Sequence, residues 1–130
     1  MAQTVEQQRA RHAWECARQA KQTLNGRSGG VTFKDYVNAA KGMPALIMNS
    51  GLMQVVAYFH GKQDDARYEL LGKHLRGWLH TRCQTPTGFP EFMDALFNAE
   101  PPQYRRINAE AMAWLRWLRQ MAAAVQKEED

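Results

Sequence analysis

The stretch "MPALIMNSGLMQVVAYF", residues 43–59, carries no charged side chain in a chain otherwise dense in arginine. A bilayer span needs roughly 18–20 continuous apolar residues. This run is shorter and is interrupted by Pro44, Asn49, Ser50 and Gly51. It reads instead as two short helices. Pro44 suits the first turn of "PALIMN", where its missing N–H costs nothing. Gly51 breaks the pattern, and Leu52, Val55, Val56 and Phe59 follow at i, i+3, i+4 and i+7. That spacing makes a buried helical stripe. The run therefore faces mainly a core, with Met48 and Met53 left over for a partner surface, and its reading fixes the fold class as helical.

Working outward, the same period recurs on both sides. Thr4-Val5-Glu6-Gln7 fits a capping box that starts the first helix. Ala10, Ala13, Ala17, Ala20 and Leu24 then form a narrow face of small residues, which lets another helix axis come close. Arg11, Glu15, Arg18 and Gln22 form a second face with pairing at i,i+4 and i,i+3. "NGRSGG" stops that helix, and the glycine-rich loop at about 25–31 is the expected mobile segment. Thr32 caps the next helix, "FKDYVNAAKGM".

Downstream, Asp64 or Asp65 caps a helix with Tyr68, Leu71, Leu75, Trp78 and Leu79 inward, and Glu69, Lys73, Arg76 and His80 on another side. "CQTPTG" ends it. A short helix, "PEFMDALFN", turns Phe92, Met93, Leu96 and Phe97 inward, and "AEPPQ" stops it. The last helix is expected from Asn108, a good N-cap, with Glu110 in its first turn and Ile107 and Met112 as a hydrophobic staple. Its core stripe is Ala111, Trp114, Leu115, Leu118, Ala122 and Val125. Six or seven helices with short loops define an all-α, single compact bundle over residues 1–130.

The charge balance is basic. Seventeen Lys and Arg stand against thirteen Asp and Glu, a net +4. Three of those acids, Glu128, Glu129 and Asp130, sit in the acidic tail at about 127–130, so the body is more basic still. Such a body suits an anionic partner, nucleic acid first, although a basic domain without such a ligand has the same composition. Residues 105–119 hold Arg105, Arg106, Arg116 and Arg119 against Glu110 alone. Residues 9–27 hold Arg9, Arg11, Arg18, Lys21 and Arg27 against Glu15 alone. Lys62, Arg67, Lys73, Arg76 and Arg82 share a third region. Each alone reads as a solvated side chain, and as a set they can track a phosphate backbone. Trp14, Trp78 and Trp114 read as buried, whereas Trp117 lies off its stripe. The expected nucleic-acid contact is with the backbone and indifferent to sequence.

Other chemistry finds little support. His12 and Cys16 are i,i+4, but no second pair completes a four-ligand zinc site. His60, His74, His80 and Cys83 are scattered, and the histidines read as solvated or core side chains. Gly26-Arg27-Ser28-Gly29-Gly30 has the Gly-x-Ser-x-Gly spelling, but it follows a helix pattern and not the strand that a nucleophile elbow needs, and no P-loop is present. The carboxylates read as caps and tail, and nothing in their placement argues for the paired general acid–base work of a hydrolase. A helix-turn-helix reader has its turn at "NSG", but the helix that follows is too apolar for a DNA groove. Two cysteines make no disulfide framework, and the first residues lack an apolar run after a basic head. The expectation is a soluble cytoplasmic protein that is not an enzyme and has neither metal nor other cofactor.

Three segments together carry a family resemblance: "YVNAAKGMPALIMNSGLMQVVAYFHGK" (36–62), "YELLGKHLRGWL" (68–79) and "YRRINAEAMAWLRWLRQMAAA" (104–124). With "RARHAWE" near the N-terminus, they resemble the small all-helical subunit of the type III-B CRISPR effector, the Cmr complex. The family commonly has Asn-Gly-Leu where this chain has Ser50-Gly51-Leu52, and Thr where it has Asn108. Both changes keep a local role, a turn and an N-cap. Residues 83–100 carry no part of the likeness. The resemblance implies a non-catalytic subunit whose copies stack head to tail along a guide RNA–target RNA duplex. It implies as partners the large polymerase/cyclase-type subunit, the backbone subunits and further copies of the chain itself. Head-to-tail stacking is a heterologous contact, served by modest apolar patches such as one around Met43, Met48 and Met53. Lys41 and Lys62, then Lys73, Arg76, Arg105, Arg106, Arg116 and Arg119, are the expected phosphate contacts. Lys73→Glu with Arg76→Glu is then expected to weaken RNA retention and spare folding. The alternative is a stand-alone helical adaptor that binds protein without nucleic acid.

Overall fold

The computed structural model describes residues 2–25 and 30–128, and in them the chain forms six helices. These are α1 (Val5–Asn25), α2 (Phe33–Ser50), α3 (Leu52–Gly61), α4 (Ala66–Cys83), α5 (Phe89–Asn98) and α6 (Pro101–Lys127). No strand occurs among the described residues. The expected mobile loop falls largely on residues 26–29, which lie outside the described residues, as do the last two acids of the tail. No helix among the described residues is long and apolar enough to cross a membrane.

Local chemistry starts α1 where its sequence specifies. The Gln7 N–H donates to Thr4 Oγ1 at 3.0 Å, and the Thr4 N–H donates to Gln7 Oε1 at 2.8 Å. Ala13, Ala17, Ala20 and Leu24 are buried, and α1 packs on α6 along this small-residue face. The two helices run parallel: Arg9 meets Glu110, His12 meets Trp114 and Lys21 meets Val125. Lys21 Nζ donates to the Val125 and Glu128 carbonyls at 3.1 and 2.9 Å. This cation at the end of α6 satisfies terminal carbonyls and complements the helix dipole.

Thr32 opens α2 with a full capping box to Asp35. The expected break at Pro44 is absent, because α2 continues through the proline to Ser50. Interior proline costs roughly 3 kcal/mol. Phe33, Tyr36, Val37 and Ala40 before it share one buried stripe with Met43 and Ile47 after it. Burying Met43 and Ile47 is worth about 1.5–3 kcal/mol each, which offsets the proline. The chain breaks instead at Gly51, whose φ of 88° and ψ of 157° suit only glycine. Its N–H still closes α2 on the Ile47 carbonyl at 2.7 Å.

Asp65 caps α4 through the Arg67 N–H at 3.0 Å. In α5, Phe92 and Leu96 are buried, but Phe97 is 66% exposed, contrary to its expected inward place. The start of α6 is also corrected. It begins at Pro101, with Glu100 at the N-cap, well before Asn108. The two prolines that read as a stop occupy first-turn positions, where no backbone N–H is required. Asn108 is therefore not an N-cap, and Ile107 is a core residue rather than half of a staple. The α6 core stripe from Ala111 to Val125 is buried as expected, against Trp78, Leu75 and the α1 alanines in one cluster.

Candidate nucleic-acid and partner surfaces

The expected cations are spread over α2, the end of α3, α4 and α6. Arg105, Arg116 and Arg119 are exposed on α6 and fall within about 60° of one another around its axis, at 3.6 residues per turn. Arg105 and Arg116 are about 16 Å apart along that axis. Arg106 is exposed but turned toward the end of α4, where its charge acts on Cys83. Lys41 is exposed on α2. Lys62, just past α3, places its ammonium 5.4 Å from the Tyr58 ring centre and 5.9 Å from that of Tyr68.

Lys73 is exposed on α4, but Arg76 is only 9% exposed, so the two do not make a free cationic pair. Arg76 Nε donates to the Thr87 carbonyl at 2.8 Å, and its Nη1 lies 3.3 Å from where a Cβ on Gly72 would sit. Burial lowers its pKa. Arg76 pins the loop between α4 and α5, a structural task, and Arg76→Glu would disturb the fold. The cavity beside it, lined by His60, Tyr68, Lys73 and Arg76, holds about 60 Å³. That is far below the roughly 300–1,000 Å³ of a ligand site.

Met43 is fully buried and belongs to the α2 core stripe, not to a docking patch. Met53 is half-buried against the core. Of the three methionines only Met48 is open, at 77% exposure, with Leu46 two residues before it at 42%. Tyr58 and Phe97 are the other exposed large apolar side chains among the described residues.

Two grooves flank the α1–α6 seam. One, of about 830 Å³, is lined by Arg11, Trp14, Glu15, Arg18, Lys21 and Glu128, so its charges are mixed. Arg11 pairs with Glu15 at 3.8 Å there, and Arg18 lies over the Trp14 ring at 5.6 Å. The other, of about 650 Å³, is lined by Glu6, Arg9, Ala113, Arg116, Trp117, Arg119 and Gln120. It carries three guanidinium groups against one carboxylate.

The sequence reading missed the centre of this seam. Glu110 is only 7% exposed. It accepts two hydrogen bonds from Arg9, at 2.7 and 2.8 Å, and one from Trp78 Nε1 at 3.0 Å, with Arg82 at 3.6 Å. Burial pushes its pKa up, but the bonds from Arg9 and Trp78 and the charges of Arg9 and Arg82 hold it below the usual carboxylate range. The signal was present: Ile107, Glu110, Ala111, Trp114 and Leu118 share helical spacing, so Glu110 lies on the buried stripe.

Potentially reactive groups are tied into packing. His12 Nδ1 accepts from Trp114 Nε1 at 3.0 Å and lies 3.5 Å from Cys16 Sγ. Burial pushes the Cys16 thiol up to about 12, which leaves it a neutral S–H. His74 joins Tyr36 Oη at 2.8 Å and Gln19 Oε1 at 2.6 Å, and burial lowers its pKa to about 4. Among the described residues, no group of three or more His, Cys, Asp or Glu side chains is placed to hold a metal.

Residues 5–125 match the profile of a CRISPR-associated protein family, Cas_Cmr5. The fold is similar to the crystal structure of a CRISPR-associated Cmr5 family protein from Thermus thermophilus, with a TM-score of 0.71 at 25% sequence identity. That match covers 94% of this chain and 97% of the other. Comparison with curated protein sequences returns no match.

Proposed function

The chain belongs to the Cas_Cmr5 family of CRISPR-associated proteins, which supports a place in a CRISPR Cmr complex, and from that premise we propose a non-catalytic structural role in it. Copies of the subunit stack head to tail along the guide RNA–target RNA duplex in the cytoplasm. They join the large polymerase/cyclase-type subunit to the backbone subunits. The cations act by neutralising phosphates, which gives affinity without sequence preference. Lys41, Lys62, Lys73, Arg105, Arg106, Arg116 and Arg119 are exposed and remain in this set, whereas Arg76 leaves it. Met48, with Leu46, is the apolar patch offered to a neighbouring subunit. The match over residues 5–125 is the observation that carries this reading.

The test is affinity purification of the tagged chain from its native host, with mass spectrometry of the proteins and sequencing of the RNA. The proposal expects the other Cmr subunits and guide RNAs in fixed proportion. Recovery of the chain with a protein partner and no guide RNA would overturn it in favour of a helical adaptor.

A further inference from the structure

The groove on the Arg116–Arg119 side of the seam has a feature that phosphate neutralisation does not use. Trp117 is half-buried, and it lines the groove between two exposed arginines. Trp117 packs partly against the core, and Ala113, four residues before it, shares its face of α6 and lines the same groove. Ala113 has only a methyl group there. A longer residue at 113 would cover the indole. Gln120, one turn on, adds an amide that can both donate and accept. Arg9 stands on the opposite wall with Glu6, its charge already paired by two bonds to Glu110, so that wall is rigid and the free cations of the groove are Arg116 and Arg119.

From this arrangement we propose that the groove is a stacking site for one unpaired nucleotide of single-stranded RNA, with the base on the Trp117 indole and the flanking phosphates on Arg116 and Arg119. An indole beside guanidinium groups in an open groove is the combination that holds single strands without reading sequence, since every base presents a π-face. A paired base in a duplex keeps its faces covered by its neighbours and gains nothing from the indole. The neighbouring groove at Trp14 lacks the combination, because its indole already carries Arg18, Arg11 pairs with Glu15, and Lys21 is bound to the Val125 and Glu128 carbonyls. The inference rests on the RNA-binding reading above and adds to its duplex contacts one point at which an unpaired stretch of RNA is held.

The test uses the full-length chain with a fluorescent oligoadenylate, an abasic strand of equal length and a duplex of the same length. Wild-type protein is expected to hold the oligoadenylate about five- to a hundredfold more tightly than the abasic strand, the range of one base–aromatic stack. Trp117→Leu and Ala113→Leu should each abolish that preference and leave abasic binding unchanged. Arg116→Glu with Arg119→Glu should weaken both strands. Ala113→Leu alters a half-buried surface position and keeps the test decisive if Trp117→Leu fails to fold. Equal wild-type affinity for the two strands would overturn the stacking site and leave phosphate binding standing. Binding of neither strand would overturn both readings. Loss of incorporation into the effector with the base preference intact would overturn the site and mark the groove as a protein seat.

Discussion

Glu110→Gln is the substitution that tests the packing of α1 on α6 most sharply. The carboxylate accepts from three N–H groups at 2.7, 2.8 and 3.0 Å. An amide of the same shape has one oxygen and two N–H donors, so it turns donors toward one of these groups. Removing one partner of a fully buried ion pair costs about 3–5 kcal/mol. Arg9 keeps 25% of its side-chain surface in water and Arg82 keeps 43%, so part of their charge is rehydrated. With the amide oxygen at the Oε2 position, Arg9 Nε and the buried Trp78 N–H keep their acceptor, so the loss is the carboxylate charge and the Arg9 Nη2 bond, which meets the new NH2. Together these predict a loss of about 2–4 kcal/mol, a large share of the stability of a domain this size. The assay is urea unfolding followed by circular dichroism, with Arg9→Met and the double variant completing a cycle. A coupling of at least about 1 kcal/mol between Arg9 and Glu110 is expected. A Glu110→Gln midpoint unchanged within about 0.5 kcal/mol, or additive single variants, would refute the reasoning.

Gly51→Ala should cost about 1–3 kcal/mol through backbone strain alone, because a methyl group there meets nothing within 4 Å; the same urea titration measures it. Acid should weaken the fold in two stages. His74 has a folded pKa of about 4 against an ordinary 6.5, so the unfolded chain binds more protons between these values. Stability therefore falls as pH drops from 6.5 to 4, by about 3 kcal/mol from this group. Glu110, held below its ordinary value, withdraws its contribution as pH falls further through its folded pKa. Unfolding midpoints at a series of pH values check both stages. Thr85→Val should be neutral or stabilising by about 1 kcal/mol, since the Thr85 hydroxyl is buried without a partner and a thermal melt reads the change.

The helical class and most of the core were legible because apolar spacing is written locally. Leu52, Val55, Val56 and Phe59, and the α6 stripe from Ala111 to Val125, sit where their periods put them. The errors came where tertiary burial overrode a local breaker. Pro44 did not stop α2, because Met43 and Ile47 continue a buried face beyond it. Pro101 and Pro102 opened α6 instead of closing α5, and Asn108, a good cap residue by type, sits inside that helix. The site was less legible than the fold. Exposed arginines on α6 could be named from the chain alone. That Arg76 turns inward to Thr87, and that Arg9 is consumed by Glu110, depends on neighbours 11 and 101 residues away. Met43 is buried for a related reason: α2 runs through Pro44, which keeps Met43 in register with Tyr36, Val37 and Ala40.

The central claim is that this subunit grips RNA in its complex by charge and does no chemistry on it. The direct measurement is target-RNA affinity against salt for the effector assembled with wild-type chain and with Lys73→Glu, Arg116→Glu and Arg119→Glu combined. Each lost phosphate contact on the guide–target duplex should flatten the log–log slope by about 0.9, so the three together should flatten it by about 3. A variant complex that assembles normally with unchanged affinity and slope would contradict the claim.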